Sequence, residues 1–248
     1  MHAETLTFFL NTLEKAASVW YTLFAWNQPR SVNKRKETSM KNEELLHGKN
    51  IYDPGDEALT SEQMKCLERL YDFNHTRPSE REKRGALMRE MFAEVGECCY
   101  IEPPFYANWG GRHVHFGSHV YANFGLTCVD DTHIYIGDYT MFGPNVTIAT
   151  ANHPILPELR LKALQYNLPV IIGKNCWFGA GTVIVPGVTV GDNSVIGAGS
   201  VVVSDIPANS VAVGNPCHVI REIGEHEREY YYKDKKIDWE SVNELLKK

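Results

Sequence analysis

From Ile172 onward an apolar residue, followed by glycine or a related residue, returns every six positions: Ile172-Gly173, Phe178-Gly179, Ile184-Val185, Val190-Gly191, Ile196-Gly197 and Val202-Val203. Four positions after each apolar residue stands a mostly small or β-branched one, namely Cys176, Thr182, Val188, Ser194 and Ser200. The same beat occurs earlier at Ile136-Gly137, Phe142-Gly143 and Ile148-Ala149, and starts at Phe116-Gly117. A fixed internal period of this kind constrains a fold more than any single residue does. An ordinary β-sandwich would instead need turns every 8–12 residues and polar alternation.

The physics of the repeat is direct. Three short strands with tight turns make one triangular coil. One apolar side chain per strand points inward and stacks on its counterpart in the next coil, while a small residue fits each corner. Glycine is expected at the turns for the backbone angles that other residues resist. Each coil hydrogen-bonds to the next, so every rung depends on its neighbours. Parallel crossovers are right-handed as a rule. This pattern resembles the exception, the left-handed parallel β-helix of hexapeptide repeats, and the chain is read as all-β dominated, with a helical cap before the prism and a helical tail after it. Residues 154–169 break the beat and are expected to leave the prism as a functional excursion loop.

The domain reading is an N-terminal extension over 1–40, a helical cap over 41–100, the catalytic prism over 101–218 and a tail over 219–248. In the cap, Ser79 to Glu82 fits a capping box, and Ala86, Leu87, Met91, Phe92 and Val95 share one helical face. Residues 6–26 are apolar but interrupted by Asn11, Glu14 and Lys15. That is a poor membrane span and lacks the marks of a signal peptide, so no transmembrane segment is expected. The extension reads as an added helix or as sequence ahead of a second start at Met40. A net charge of −6 argues against binding a nucleic-acid backbone. No C-x-x-C pair occurs among the six cysteines, which read as reduced thiols of a cytoplasmic protein.

A prism of stacked apolar residues has no chemistry of its own, so polar groups at its edges are the candidates. His153 stands where the beat ends and the loop begins, followed by Pro154. A reference pKa of about 6.5 suits an imidazole to proton abstraction at neutral pH, although a satisfied structural histidine fits the spacing equally well. Tyr121 to Phe124 and Asp130-Asp131 form a second cluster. Asn123 can donate to and accept from a sugar hydroxyl and Asp131 can accept from two, and both residue types also serve ordinary turns.

Taken together, FNHTRPSE, MFAEVGE, HVYANFGLTCVDD, ATANHP and the prism resemble the galactoside/maltose O-acetyltransferase family of hexapeptide-repeat acyltransferases, most of all its galactoside branch, over roughly residues 45–237. The resemblance implies acetyl transfer from acetyl-CoA, as co-substrate, to a hydroxyl of a small sugar, in a homotrimer with each site between two prisms. It makes His153 the general base. It places Asp53, Tyr121, Asn123, Asp131 and Gln165 at the acceptor, Trp177, Ala180 and Ala198 along the CoA groove, and Arg221 near the nucleotide end. The transfer is expected to be direct, with an oxyanion donor in the Gly179-Ala180 turn and no metal. Three positions depart from the family. Gln63 replaces an arginine that contacts the sugar, Ser204 stands where a lysine is frequent, and His218 where an arginine is common. Fewer cations at the CoA end imply a raised KM for acetyl-CoA.

Three rival readings stay open. A metal enzyme on the same prism would need histidines converging on zinc, with His113, His115 and His119 the nearest set. A non-catalytic assembly or binding module would keep the apolar beat and lose the site. An acetyltransferase for another acceptor, such as an amino sugar, would keep His153.

Overall fold

The structure is a computed structural model that describes residues 44–247, so the expectation for the N-terminal extension lies outside the described residues. Each beat is one short strand and one turn, and the chain rises through three parallel walls. The first wall stacks Glu94–Val95, Val114–Phe116, Ile134–Ile136, Val170–Ile172 and Thr189–Val190. The second stacks Tyr100–Ile101, Tyr121–Ala122, Met141–Phe142, Trp177–Phe178, Val195–Ile196 and Ser210–Val213. The third stacks Tyr106–Ala107, Thr127–Val129, Thr147–Ala149, Val183–Ile184 and Val201–Val202. The apolar residues of the beat are the inward ones. Phe116, Ile136, Ile172 and Val190 are in register in the first wall. Ala122, Phe142, Phe178, Ile196 and Ala212 are in register in the second. Cys128, Ile148, Ile184 and Val202 complete the third. All are buried, and the Phe142 and Phe178 rings stack at 5.1 Å. Each large side chain withdrawn from water contributes roughly 1.5–3 kcal/mol, and the column offers it a like neighbour above and below.

The corners divide the reason given for glycine: Gly181, Gly187 and Gly199 take the left-handed backbone as expected, with φ of 69°, 85° and 69°, but the glycines of the beat do not. Gly173 and Gly179 do not adopt the left-handed backbone. They are small because the next coil lies against them: a Cβ on Gly179 would sit 2.4 Å from the Ala198 nitrogen, and one on Gly173 would sit 2.6 Å from the Asp192 nitrogen. The left-handed positions come two residues later. Asn175, Asn193 and Asn209 take them at the corner from the first wall to the second, with φ of 54°, 59° and 55°. Asparagine tolerates that region better than most residues. Their amides form a ladder, with Asn175 Nδ2 donating to Asn193 Oδ1 at 3.0 Å and Asn193 Nδ2 to Asn209 Oδ1 at 2.9 Å.

Ahead of the prism lie helices α1 (Glu57–Asn74) and α2 (Arg81–Met91). Asp56 caps α1 by accepting from the Ala58 nitrogen at 2.9 Å. The cap buries Leu59, Cys66, Leu70 and Phe73 from α1 and Met88 and Met91 from α2. Phe92 follows and packs edge-on against Phe105 and Phe116 of the first coils. Asn74 fastens the end of α1 to the prism through both its amide atoms, each 2.8 Å from the Phe105 backbone. The expected capping box is replaced. Glu80 precedes α2, and its carboxylate accepts from the Arg77 nitrogen at 2.7 Å. After the last coil, His218–Glu222 folds back antiparallel on Ser210–Val213. A hairpin of Tyr230–Tyr232 and Lys235–Lys236 and a helix over Trp239–Leu245 follow.

Candidate active site

Residues 154–169 leave the prism where the third wall turns into the first. A two-residue antiparallel ribbon closes the root of the excursion, pairing Ala151 with Asn167 and Asn152 with Tyr166. His153 is the next residue out. Its Nδ1 lies 2.8 Å from the Leu164 carbonyl oxygen on the returning strand. A carbonyl only accepts, so Nδ1 carries the proton and Nε2 presents a bare lone pair. The backbone nitrogen of His153 donates to Asn152 Oδ1 at 2.9 Å, which holds the residue from its other side.

The residue after Leu164 is Gln165, and it reaches Asp131. Gln165 Nε2 donates to Asp131 Oδ1 at 3.0 Å, and Asn108 Nδ2 donates to Asp131 Oδ2 at 2.9 Å. Tyr52 of the cap forms a reciprocal backbone bridge with Gln165, through bonds of 2.9 and 3.0 Å. These residues surround a pocket of about 100 Å³ lined by Tyr52, Gln63, Asn108, Trp109, Asp131 and Gln165 among others. Asp53, between the lining residues Tyr52 and Pro54, is not itself in the lining; it is exposed, with its carboxylate accepting from the Gly55 nitrogen at 2.8 Å. Gln63 donates to the Asn108 carbonyl at 2.9 Å. Behind Asp131, the buried Asp130 carboxylate accepts from the backbone nitrogens of Trp109 at 2.7 Å and Gly111 at 3.0 Å. Burial pushes the Asp130 carboxyl up to about 7 against the pull of those donors.

The remaining expected residues lie on a different edge. Tyr121, Met141, Trp177, Val195, Val211 and Arg221 are successive partners across the second wall, so Tyr121, Trp177 and Arg221 form one row. Tyr121 and Trp177 are exposed on its outer face. Asn123, Ala180 and Ala198 follow at the corner from the second wall to the third, where Gly199 donates to the Ala180 carbonyl at 2.9 Å. The Gly179 N–H is taken by the Ile196 carbonyl at 2.8 Å. Among the described residues, the Ala180 N–H has no backbone acceptor. Arg221 is ion-paired with Glu227. One protomer therefore splits the expected site between two edges of the prism, with the third wall between them.

The histidines of the rival metal reading do not converge. His119 stacks on Tyr139 at the opposite corner. His115 Nε2 and His133 Nδ1 lie 2.9 Å apart, and His47 stacks on His133 at 4.3 Å. No group of three or more histidine, cysteine, aspartate or glutamate side chains among the described residues is arranged to hold a metal ion. No helix among them is long and apolar enough to cross a membrane.

Residues 50–96 match the maltose acetyltransferase hexapeptide capping motif, and residues 169–204 match the hexapeptide repeat of succinyl-transferase. The galactoside O-acetyltransferase of Lactococcus lactis is 50% identical over 193 residues, covering 78% of this chain and 93% of that protein. The chain belongs to the galactoside/maltose O-acetyltransferase family. It is an acyltransferase of the hexapeptide-repeat kind. The galactoside O-acetyltransferase of Escherichia coli is 46% identical, covering 73% of this chain and 89% of that one. A solved galactoside acetyltransferase in complex with coenzyme A superposes with a TM-score of 0.76 at 44% identity, covering 86% of this chain and all of that one. Tyr52, Asn108 and Trp109 line the pocket, and Asn167 bonds to Tyr52; sequence reasoning missed all four. Adjacency to Asp53 was the one signal pointing to Tyr52.

Proposed function

We propose that this protein transfers the acetyl group of acetyl-CoA directly to a hydroxyl of a small galactoside- or maltose-like sugar, with His153 as general base. The observation that carries the reading is the bond from His153 Nδ1 to the Leu164 carbonyl. It leaves Nε2 as a base and ties it, through the adjacent Gln165, to the Asp131 pocket. Nε2 takes the proton of the sugar hydroxyl as that oxygen attacks the thioester carbonyl. The C–O bond forms and the carbonyl electrons move to oxygen. The unclaimed Ala180 N–H is the donor suited to that oxyanion, since the Gly179 N–H is already used. Collapse breaks the C–S bond, and the imidazolium returns its proton to the thiolate, releasing free CoA.

The split site supports a trimer. His153, Asp131 and Gln165 lie on one edge, and Trp177, Ala180 and Ala198 lie on another. Setting the first edge of one copy against the second edge of the next is a head-to-tail contact, and three copies around a threefold axis close it. Acetyl-CoA would lie along the row from Trp177 to Arg221. The test is an initial-rate study of free-thiol release with acetyl-CoA and each sugar varied together. Intersecting double-reciprocal lines are expected for direct transfer in a ternary complex. Parallel lines, or no release with any galactoside, glucoside or maltose, would contradict the reading.

A further inference from the structure

Tyr52 is 5% exposed, yet it lines the acceptor pocket. Its hydroxyl oxygen accepts two hydrogen bonds, from Gln165 Nε2 at 2.6 Å and from Asn167 Nδ2 at 3.0 Å. The orientation of both amides is set by groups that can only accept. Gln165 Nε2 also faces the Asp131 carboxylate at 3.0 Å, and Asn167 Nδ2 also faces the Leu46 carbonyl at 3.0 Å. Turning either amide round would set oxygen against oxygen. Gln165 Nε2 also lies 3.0 Å from Asn167 Oδ1, and Asn167 Nδ2 3.4 Å from the Asp131 carbonyl, so each amide shares its two hydrogens among three acceptors. Both polar contacts of the phenol oxygen are nevertheless with amide donors, and its own proton has no acceptor among the described residues. Burial beside the Asp131 charge pushes the phenol up to about 12, so it keeps that proton. A buried O–H with an unmatched proton costs stability unless something in the pocket receives it.

We infer that Tyr52 is an acceptor-binding residue whose O–H donates to an oxygen of the sugar held at Asp131. The inference rests on the acetyl-transfer reading of this pocket. Gln165 Nε2 touches both Tyr52 Oη and Asp131 Oδ1, so the two groups lie no further apart than those bonds laid end to end. One donates and the other accepts, which matches a sugar hydroxyl, or a vicinal pair of hydroxyls, spanning them. The same arrangement supplies a neutral donor in a pocket where Gln63 stands in place of a cation and already donates to Asn108.

The test uses the full chain, acetyl-CoA, the best sugar acceptor and its set of monodeoxy analogues. Tyr52→Phe should raise KM for the sugar about tenfold while KM for acetyl-CoA holds. In the wild type, one analogue should lose a similar factor. Tyr52→Phe should no longer distinguish that analogue from the parent sugar, a result that general loosening of the pocket would not give. Tyr52→Met, which likewise lacks the O–H, serves if the phenylalanine form does not fold. An active wild type whose Tyr52→Phe form keeps its sugar KM, or still discriminates every analogue, overturns the inference alone. A wild type that acetylates no sugar overturns the acetyl-transfer reading and this inference with it.

Discussion

As the proposed base, His153 is held by a backbone carbonyl rather than by an acidic side chain. The Leu164 oxygen lies 2.8 Å from its Nδ1 and orients the ring. Nothing in the residue letters signals such a contact, because any residue at 164 would supply the same oxygen. The expectations for His153, Asp131 and Gln165 rest on the family resemblance, whereas Tyr52 is 113 residues from Gln165 and reaches it only through the fold. Arg221, expected near the nucleotide end, is ion-paired with Glu227. Glu227→Gln is therefore expected to lower KM for acetyl-CoA several-fold at low salt, an effect that added salt should erase. A second group of residues sets the response to acid. Burial depresses His113 to about 3 and His133 to about 4, both from 6.5. Between those values and 6.5 the unfolded chain binds protons that the folded chain refuses, so stability present at neutral pH is lost as pH falls through this window. Asp130, raised by burial from 3.8 to about 7, works in the opposite sense and offsets part of the loss. The thermal midpoint should fall from pH 6.5 to 4, and His133→Asn should flatten that slope.

At the scale of elements, the six-residue beat located the strands because one inward residue per strand is an unambiguous signal. Its inward positions form buried columns in the structure. The corners were less legible, since glycine answers both to backbone angle and to close approach, and only coordinates separate the two. Gly179→Ala tests the distinction. Its φ is compatible with alanine, but the added methyl would meet the Ala198 nitrogen at 2.4 Å. The expected outcome is a loss of about 1–3 kcal/mol by denaturant titration, as overpacking requires. A change that relieves chain entropy alone would have stabilised the protein instead. The strand at His218–Glu222 escaped sequence reading because every residue in it is exposed, leaving no alternation to see.

For the whole molecule, the residues proposed for one site sit on two edges of the prism. A rigid triangular coil cannot fold those edges together, which is why the proposed function sets a second copy against the first. Mixed assemblies give the prediction its edge. His153→Ala and Ala180→Trp chains, each inactive alone, should regain activity when unfolded and refolded together, because one interface in the mixture carries neither change. The measurement that bears most directly on the account follows acetyl transfer from acetyl-CoA to the sugar by the mass of the product, for the wild type and for His153→Ala. The account predicts a sugar heavier by one acetyl group and a kcat lowered about 10²–10⁴-fold in the variant, with its oligomeric state unchanged. Turnover by His153→Ala at the wild-type rate would contradict it.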